Sequence, residues 1–169
     1  MGARALALWF SVAIAMTGCA ANSIENFKGK NSDETQIAGL IRRIPDGIKA
    51  RSLNIVMLPY TDDVYIGNFH KYLGIAALGA PIRVSKNELR QVYTQFFKNS
   101  KEFSADIRDF QVTVQGDRAT AEGLLDVQWQ LQGEVKVKKD ERQVTIQNPV
   151  LWRLRRGPDG WRIYEEIYQ

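Results

Sequence analysis

One cysteine and one histidine are all that 169 residues supply of the two side chains most used for metals, redox chemistry and nucleophilic catalysis. A lone thiol forms no intrachain disulfide, so packing alone must stabilise the fold. One imidazole, with no second thiol and no spaced carboxylates, gives a metal no ligand set, and neither metal nor cofactor is expected. The glycine-rich phosphate loop, the serine elbow and the zinc-ligand spacing are all missing. Charge of one sign is missing too: 23 Lys and Arg face 19 Asp and Glu, for a net +4 with the signs interspersed. The tightest basic cluster, Lys136, Lys138, Lys139 and Arg142, is broken by Asp140 and Glu141. A nucleic-acid partner, which calls for a one-sided basic surface, is not expected. The apolar run Ala5–Met16 is shorter than the roughly 20 residues that cross hydrocarbon.

That short run is nevertheless the strongest signal present. Arg4 precedes it and Met16-Thr17-Gly18-Cys19 follows it, giving the basic start, apolar core and small residues of a secretory signal. With the only cysteine directly after the cut, the stretch resembles the lipobox of bacterial lipoproteins. The resemblance implies cleavage before Cys19, lipidation of Cys19 and a membrane partner through the lipid anchor. Ala20 in the next position resembles the pattern that sends such proteins to the outer membrane, facing the periplasm. Residues 1–18 are then a signal peptide, 19–31 a lipidated cysteine with a tether, and 32–169 one domain, a length suited to a single core. The polar, aperiodic stretch 20–31, taken as a flexible chain, would span roughly 20 Å.

Helical signals come first in the domain. Asn31 and Glu34 resemble a capping pair ahead of Ile37, Leu40, Ile41 and Ile44, with Pro45 expected to interrupt. Ser52 caps a short turn, and Ser85 with Glu88 forms a capping box before the stripe Leu89, Val92, Tyr93, Phe96 and Phe97. The second half changes period. From Ala119 to Leu131 the odd positions are apolar or glycine, and the even ones polar except Leu124. This predicts a long strand with Trp129 inward and Gln128 and Gln130 outward. Phe110–Val114, Val144–Leu154 and Trp161–Tyr168 complete a predicted meander. The plan is α+β, with N-terminal helices packed in the concave face of a curved antiparallel sheet.

Three stretches carry a family likeness: Ala50–Val64, with an aromatic and an acidic pair before the first strand; the turn Gly116-Asp117 into a long strand; and the hairpin Trp152–Arg156 with Asp159–Glu166. In this order they resemble the nuclear transport factor 2-like superfamily, which includes polyketide-cyclase-like and ketosteroid-isomerase-like domains. The resemblance implies a cone-shaped sheet closed by helices over an apolar pocket. The apolar segment 73–82 departs from the pattern and is read as a flap over the cone mouth or a contact surface.

Enzymes of that superfamily set a carboxylate or histidine beside an apolar cavity, where burial raises a carboxyl pKa. Tyr60, Asp62, Asp63 and His70 are the catalytic candidates on this resemblance. On a regular strand Asp62 and Asp63 face opposite ways, so only one would look inward. Glu165 shares the face of Trp161, Ile163 and Ile167 and is the candidate buried acid, with a structural ion pair as the simpler role. Tyr60, His70, Trp129 and Trp152 are candidate contacts for a small apolar ligand. Gln128, Gln130, Gln132 and Thr145 are candidate contacts for a protein partner or a second copy on the outer sheet face. Two readings remain: a membrane-anchored binding module without turnover, and a small lyase, isomerase or cyclase.

Overall fold

The computed structural model describes residues 22–72, 83–132 and 143–169, with His70 and Tyr72 described by backbone alone. The apolar segment 73–82 lies outside the described residues, as do Cys19 and the signal stretch.

Asn31 starts α1 (Ser32–Ile41) by accepting the Glu34 amide at 2.9 Å, while the Glu34 carboxylate takes the Lys30 amide at 2.7 Å. Pro45 does not end this helical region. The chain turns at Arg42 instead, and Pro45 sits in the first turn of α2 (Arg43–Lys49), where an amide would have had no intrahelical acceptor. Ile44 therefore stays buried with Ile37, Ile41 and Ile48. Ser52 caps α3 (Leu53–Met57). Gly47 lets α2 and α3 touch, since a β-carbon there would lie 2.4 Å from the Val56 amide nitrogen.

Strand β1 (Tyr60–Gly67) leads into α4 (Phe69–Tyr72), and β2 (Arg83–Val84) precedes α5 (Lys86–Asn99), whose capping box at Ser85 and Glu88 forms as expected. The long strands are β3 (Ser100–Gln115), β4 (Arg118–Leu131), β5 (Gln143–Gly157) and β6 (Gly160–Tyr168). They lie in the order β2-β1-β6-β5-β4-β3. The pairing is antiparallel except between β1 and β6, which run parallel. The α+β plan with helices in the concave face of the sheet is thus the fold.

The expected alternation of β4 is present: Ala119, Ala121, Leu125, Val127 and Trp129 are buried. They face Ile37, Ile41, Ile48, Leu89 and Tyr93 from the helices in one core. Trp129 meets the Phe96 ring edge-on at 4.9 Å between centroids. Strand β3 starts at Ser100, well before the alternation visible from Phe110. Bulges at Glu102 and Asp109, with φ of 55° and 54°, explain the difference. Before the second bulge the inward positions are Ala105 and Ile107, and after it Phe110. One extra residue reverses the parity and bends the strand. Gly123 lies under that bend, where a β-carbon would be 2.8 Å from the Ile107 side chain.

The expected tether is shorter than 20–31. Asn22 accepts the Asp109 amide at 3.1 Å, Ser23 bridges to Arg108, Ile24 is buried and Phe27 packs edge-on against Phe110 at 5.0 Å. Apolar side chains at 24 and 27 find a place on the sheet, which outweighs the polar composition around them.

Three substitutions test this packing by chemical denaturation. Trp129→Ala should cost about 3–5 kcal/mol, whereas Gln128→Ala, on the other face of the same strand, should stay within about 0.5 kcal/mol. Gly47→Ala should destabilise the chain even though alanine is favoured in a free helix by about 1 kcal/mol; a gain in stability would contradict the α2–α3 contact.

Candidate functional site

Strand β6 carries the most unusual side chain of the fold. Alternation from Trp161 and Ile163 would bring Glu165 inward, but the register against β5 slips between Leu154↔Ile163 and Arg153↔Glu165. Tyr164 is the extra residue, and beyond it Glu166 and Tyr168 take the inward positions. Glu165 turns outward and pairs with Arg153 at 2.6 Å. The buried acid is therefore Glu166, and Glu165 has the ion-pair role.

Glu166 is 1% exposed. Its Oε2 accepts the Tyr60 hydroxyl at 2.7 Å and the Trp152 indole N–H at 2.8 Å, and its Oε1 accepts the Tyr168 hydroxyl at 2.5 Å. The donors come from β1, β5 and β6, so three neighbouring strands converge on one carboxyl group. Above it, Phe69 of α4 is buried with its ring 6.1 Å from that of Tyr168. Asn68, at φ 55°, ties the approach to α4 by donating to the Tyr168 carbonyl at 2.9 Å.

Burial pushes the Glu166 carboxyl above its ordinary value, against the lowering effect of the Tyr168, Tyr60 and Trp152 hydrogen bonds. Removing water penalises the ionised form more than the donors favour it. Such a group can hold a proton beside two phenols and an indole. In the described arrangement its three donors are protein groups and almost none of its surface meets solvent.

The other expected residues are dispersed. Tyr60 belongs to the Glu166 cluster. Asp62 and Asp63 both face solvent, because β1 is irregular between Tyr60 and Tyr65 and the strict alternation fails there. The Lys86 ammonium, 2.8 Å from Asp62, and the Arg155 guanidinium, 2.6 Å from Asp63, hold both carboxyls below the usual range. They line an open, polar cleft of about 590 Å³ with Arg90, Arg162 and the exposed Leu58. His70 lies on α4, and its side chain is outside the described residues. Among the described residues no group of three or more His, Cys, Asp or Glu is placed to hold a metal ion.

Trp152 is fully buried and serves Glu166, so it presents no surface to a ligand. Trp129 does line an opening. Val92, Phe96 and Asn99 of α5 form, with Trp129, Leu131 and Ser100, a predominantly apolar groove of about 430 Å³. Gln128 and Gln130 lie on the opposite, outer face in register with Thr145 and Gln143. Gln132 follows the strand, its amide bonded to the Asn99 carbonyl at 2.9 Å. The same outer face carries Leu124, Leu151 and Ile167, all half-buried.

No family profile and no curated protein matches the chain. Solved structures do match. A Kribbella flavida protein superposes with a TM-score of 0.66 at 19% identity, covering 81% of this chain and 89% of its own. A ketosteroid isomerase-like protein from Erwinia carotovora gives 0.58 at 18% identity, with 82% and 95% covered. A nuclear transport factor 2-like protein with a cystatin-like fold, from Novosphingobium aromaticivorans, gives 0.56 at 17% identity, with 80% of each covered. The fold is therefore nuclear transport factor 2-like, as the sequence resemblance implied, and at these identities the likeness concerns the fold alone.

The raised carboxyl gives stability a pH dependence of definite sign. Between the ordinary value of 4.5 and the higher folded value, the native state holds a proton that the unfolded chain has released. Stability should fall as pH rises through that window. Denaturation of Glu166→Gln at several pH values should lose this component; an unchanged slope would place the titration elsewhere. Trp152→Phe removes one donor to the carboxylate and should raise the Glu166 pKa further, followed by carboxyl carbon-13 shifts.

Proposed function

We propose that the chain is a lipid-anchored envelope protein, acylated at Cys19 and facing the periplasm from the outer membrane. Its cone domain binds a small apolar ligand without turnover. The observation that carries the binding role is the apolar groove between α5 and the end of β4, where Val92, Phe96, Trp129 and Leu131 meet at one opening. An apolar concavity with few polar groups suits a hydrophobic ligand. The lipidation reading rests on Met16-Thr17-Gly18-Cys19 after its short apolar run.

A second reading is supported by Glu166. A carboxyl held above its ordinary value beside two tyrosine hydroxyls has the composition of a proton-transfer site. One structural neighbour carries the name ketosteroid isomerase-like. On this reading Glu166 takes the catalytic part that the sequence offered to Asp62, Asp63 or His70. The carboxylate would remove a proton from the carbon beside a ketone and return it further along the conjugated system. Glu166 is 1% exposed with its oxygens bonded to protein donors, whereas the groove at Trp129 is open, which is why binding is the leading reading. The outer sheet face, with Leu124, Leu151 and Ile167 beside Gln128, Gln130 and Thr145, is the surface proposed for a protein partner or a second copy.

Binding is tested with the neutral fluorescent probe N-phenyl-1-naphthylamine. Wild type should bind it, Val92→Asp should weaken binding by about tenfold or more, and Gln128→Arg should leave it unchanged. Equal binding by wild type and Val92→Asp would remove the groove as the site. Metabolic labelling with a palmitate analogue should mark wild type and not Cys19→Ser. For the second reading, isomerisation of a β,γ-unsaturated ketone by wild type and its loss in Glu166→Gln is the expected result.

A further inference from the structure

The anchor and the domain are closer together than the polar N-terminal segment implies. Only Ala20 and Ala21 separate Cys19 from Asn22, and from Asn22 onward the chain is fixed to the sheet. Asn22 accepts the Asp109 amide, Ser23 bridges to Arg108 and donates its hydroxyl to Asp106 at 2.8 Å, and Ile24 is buried. Glu25 pairs with Lys49 at 3.1 Å, and Phe27 packs on Phe110. These attachments all fall within a single turn-like stretch that contains the short 3-10 helix Ile24–Asn26.

Three Cα–Cα steps span at most about 11 Å. A cysteine bearing acyl chains has its backbone at the headgroup level, and each headgroup layer is only about 5–7 Å deep. The attachment at Asn22 is then held within about 11 Å of the acylated backbone, close to the headgroup surface. Its partner Asp109 lies on β3, the outermost strand at its end of the sheet. Close to it are the exposed Lys28 and Lys30, which have no ion-pair partner among the described residues. They line a cavity of about 350 Å³ with Phe27, Phe110, Gln111 and two acids, the exposed Glu122 and Glu34, which is buried against the α1 cap. Two unpaired lysines beside the anchor suit an anionic headgroup surface.

We propose that the domain is clamped edge-on to the membrane: the β3 edge around Asp109, with Lys28 and Lys30, rests on the lipid headgroups, and the sheet rises from it toward β1. This rests on acylation at Cys19 and adds what the acylation alone does not give, a fixed orientation. Asp62 on β1 is four inter-strand steps from β3 in the sheet order and fully exposed at its side chain, roughly 19 Å away at the usual strand spacing.

The test uses the acylated full chain in vesicles of phosphatidylethanolamine and phosphatidylglycerol carrying a nitroxide on some headgroups. A fluorophore is placed at Gln111→Cys or at Asp62→Cys, each then the only free thiol. Quenching should be about twofold stronger or more at 111 than at 62, given a strand separation larger than the headgroup depth. Inserting about ten Gly and Ser residues between Ala21 and Asn22, for roughly 17 Å of added reach, should reduce that difference. Lys28→Glu with Lys30→Glu should weaken it on anionic vesicles. Equal quenching at the two positions in a chain retained on vesicles and labelled by palmitate would overturn the clamp alone. A chain that is neither labelled nor retained would overturn the acylation and the clamp with it.

Discussion

A carboxyl group taken out of water must find its hydrogen bonds within the protein or lose its charge, and Glu166 imposes that demand on the centre of this sheet. Three strands answer it. Tyr60 is brought by the parallel pairing of β1 with β6, Trp152 by the antiparallel pairing of β5 with β6, and Tyr168 by the same strand two residues on. Each donor is itself a large, buried ring, so the polar cluster and the apolar core are built from the same side chains. A shift of either pairing by one residue would leave a buried acid without partners, a loss larger than that of a single ordinary hydrogen bond.

Curvature is what lets one sheet enclose the helices, and it is concentrated at a few irregular positions. The bulges at Glu102 and Asp109 bend β3, Gly123 lets β4 pass under that bend, and the extra residue at Tyr164 turns the end of β6. These positions also decide which side chains become interior. Glu166 is inside and Glu165 outside because of one of them; Asp62 and Asp63 are both outside because of another, in β1. Irregularity in the strands therefore sets the chemistry of the cone as well as its shape.

The groove at Trp129 and the cleft at Asp62 and Asp63 differ in kind. The groove at Trp129 is apolar and lies on the concave side, whereas the cleft at Asp62 and Asp63 is polar, with its acids already paired to Lys86 and Arg155. Glu166 belongs to neither. The buried carboxyl lies apart from the lining of both, and the docking of residues 22–27 on β3 holds the N-terminal segment against the sheet.

Much of this was legible in the chain. The caps at Asn31, Ser52 and Ser85, the stripe from Leu89 to Phe97, the alternation of β4 with Trp129 inward and the α+β plan all follow from local rules of capping and period, which neighbours in sequence suffice to satisfy. What failed were inferences that carried a regular period through a place where it breaks. Phe110 hid the first half of β3, Ile163 and Ile167 pointed to Glu165 rather than Glu166, and the adjacent aspartates were expected on opposite faces. A bulge is stabilised by the strand opposite, which one-dimensional alternation does not contain. The sequence by itself thus determined the elements and the sheet's buried face. Only the tertiary structure decided which acid is buried, which rings hold it and that residues 22–27 dock on β3, because each depends on pairing between segments distant in the chain.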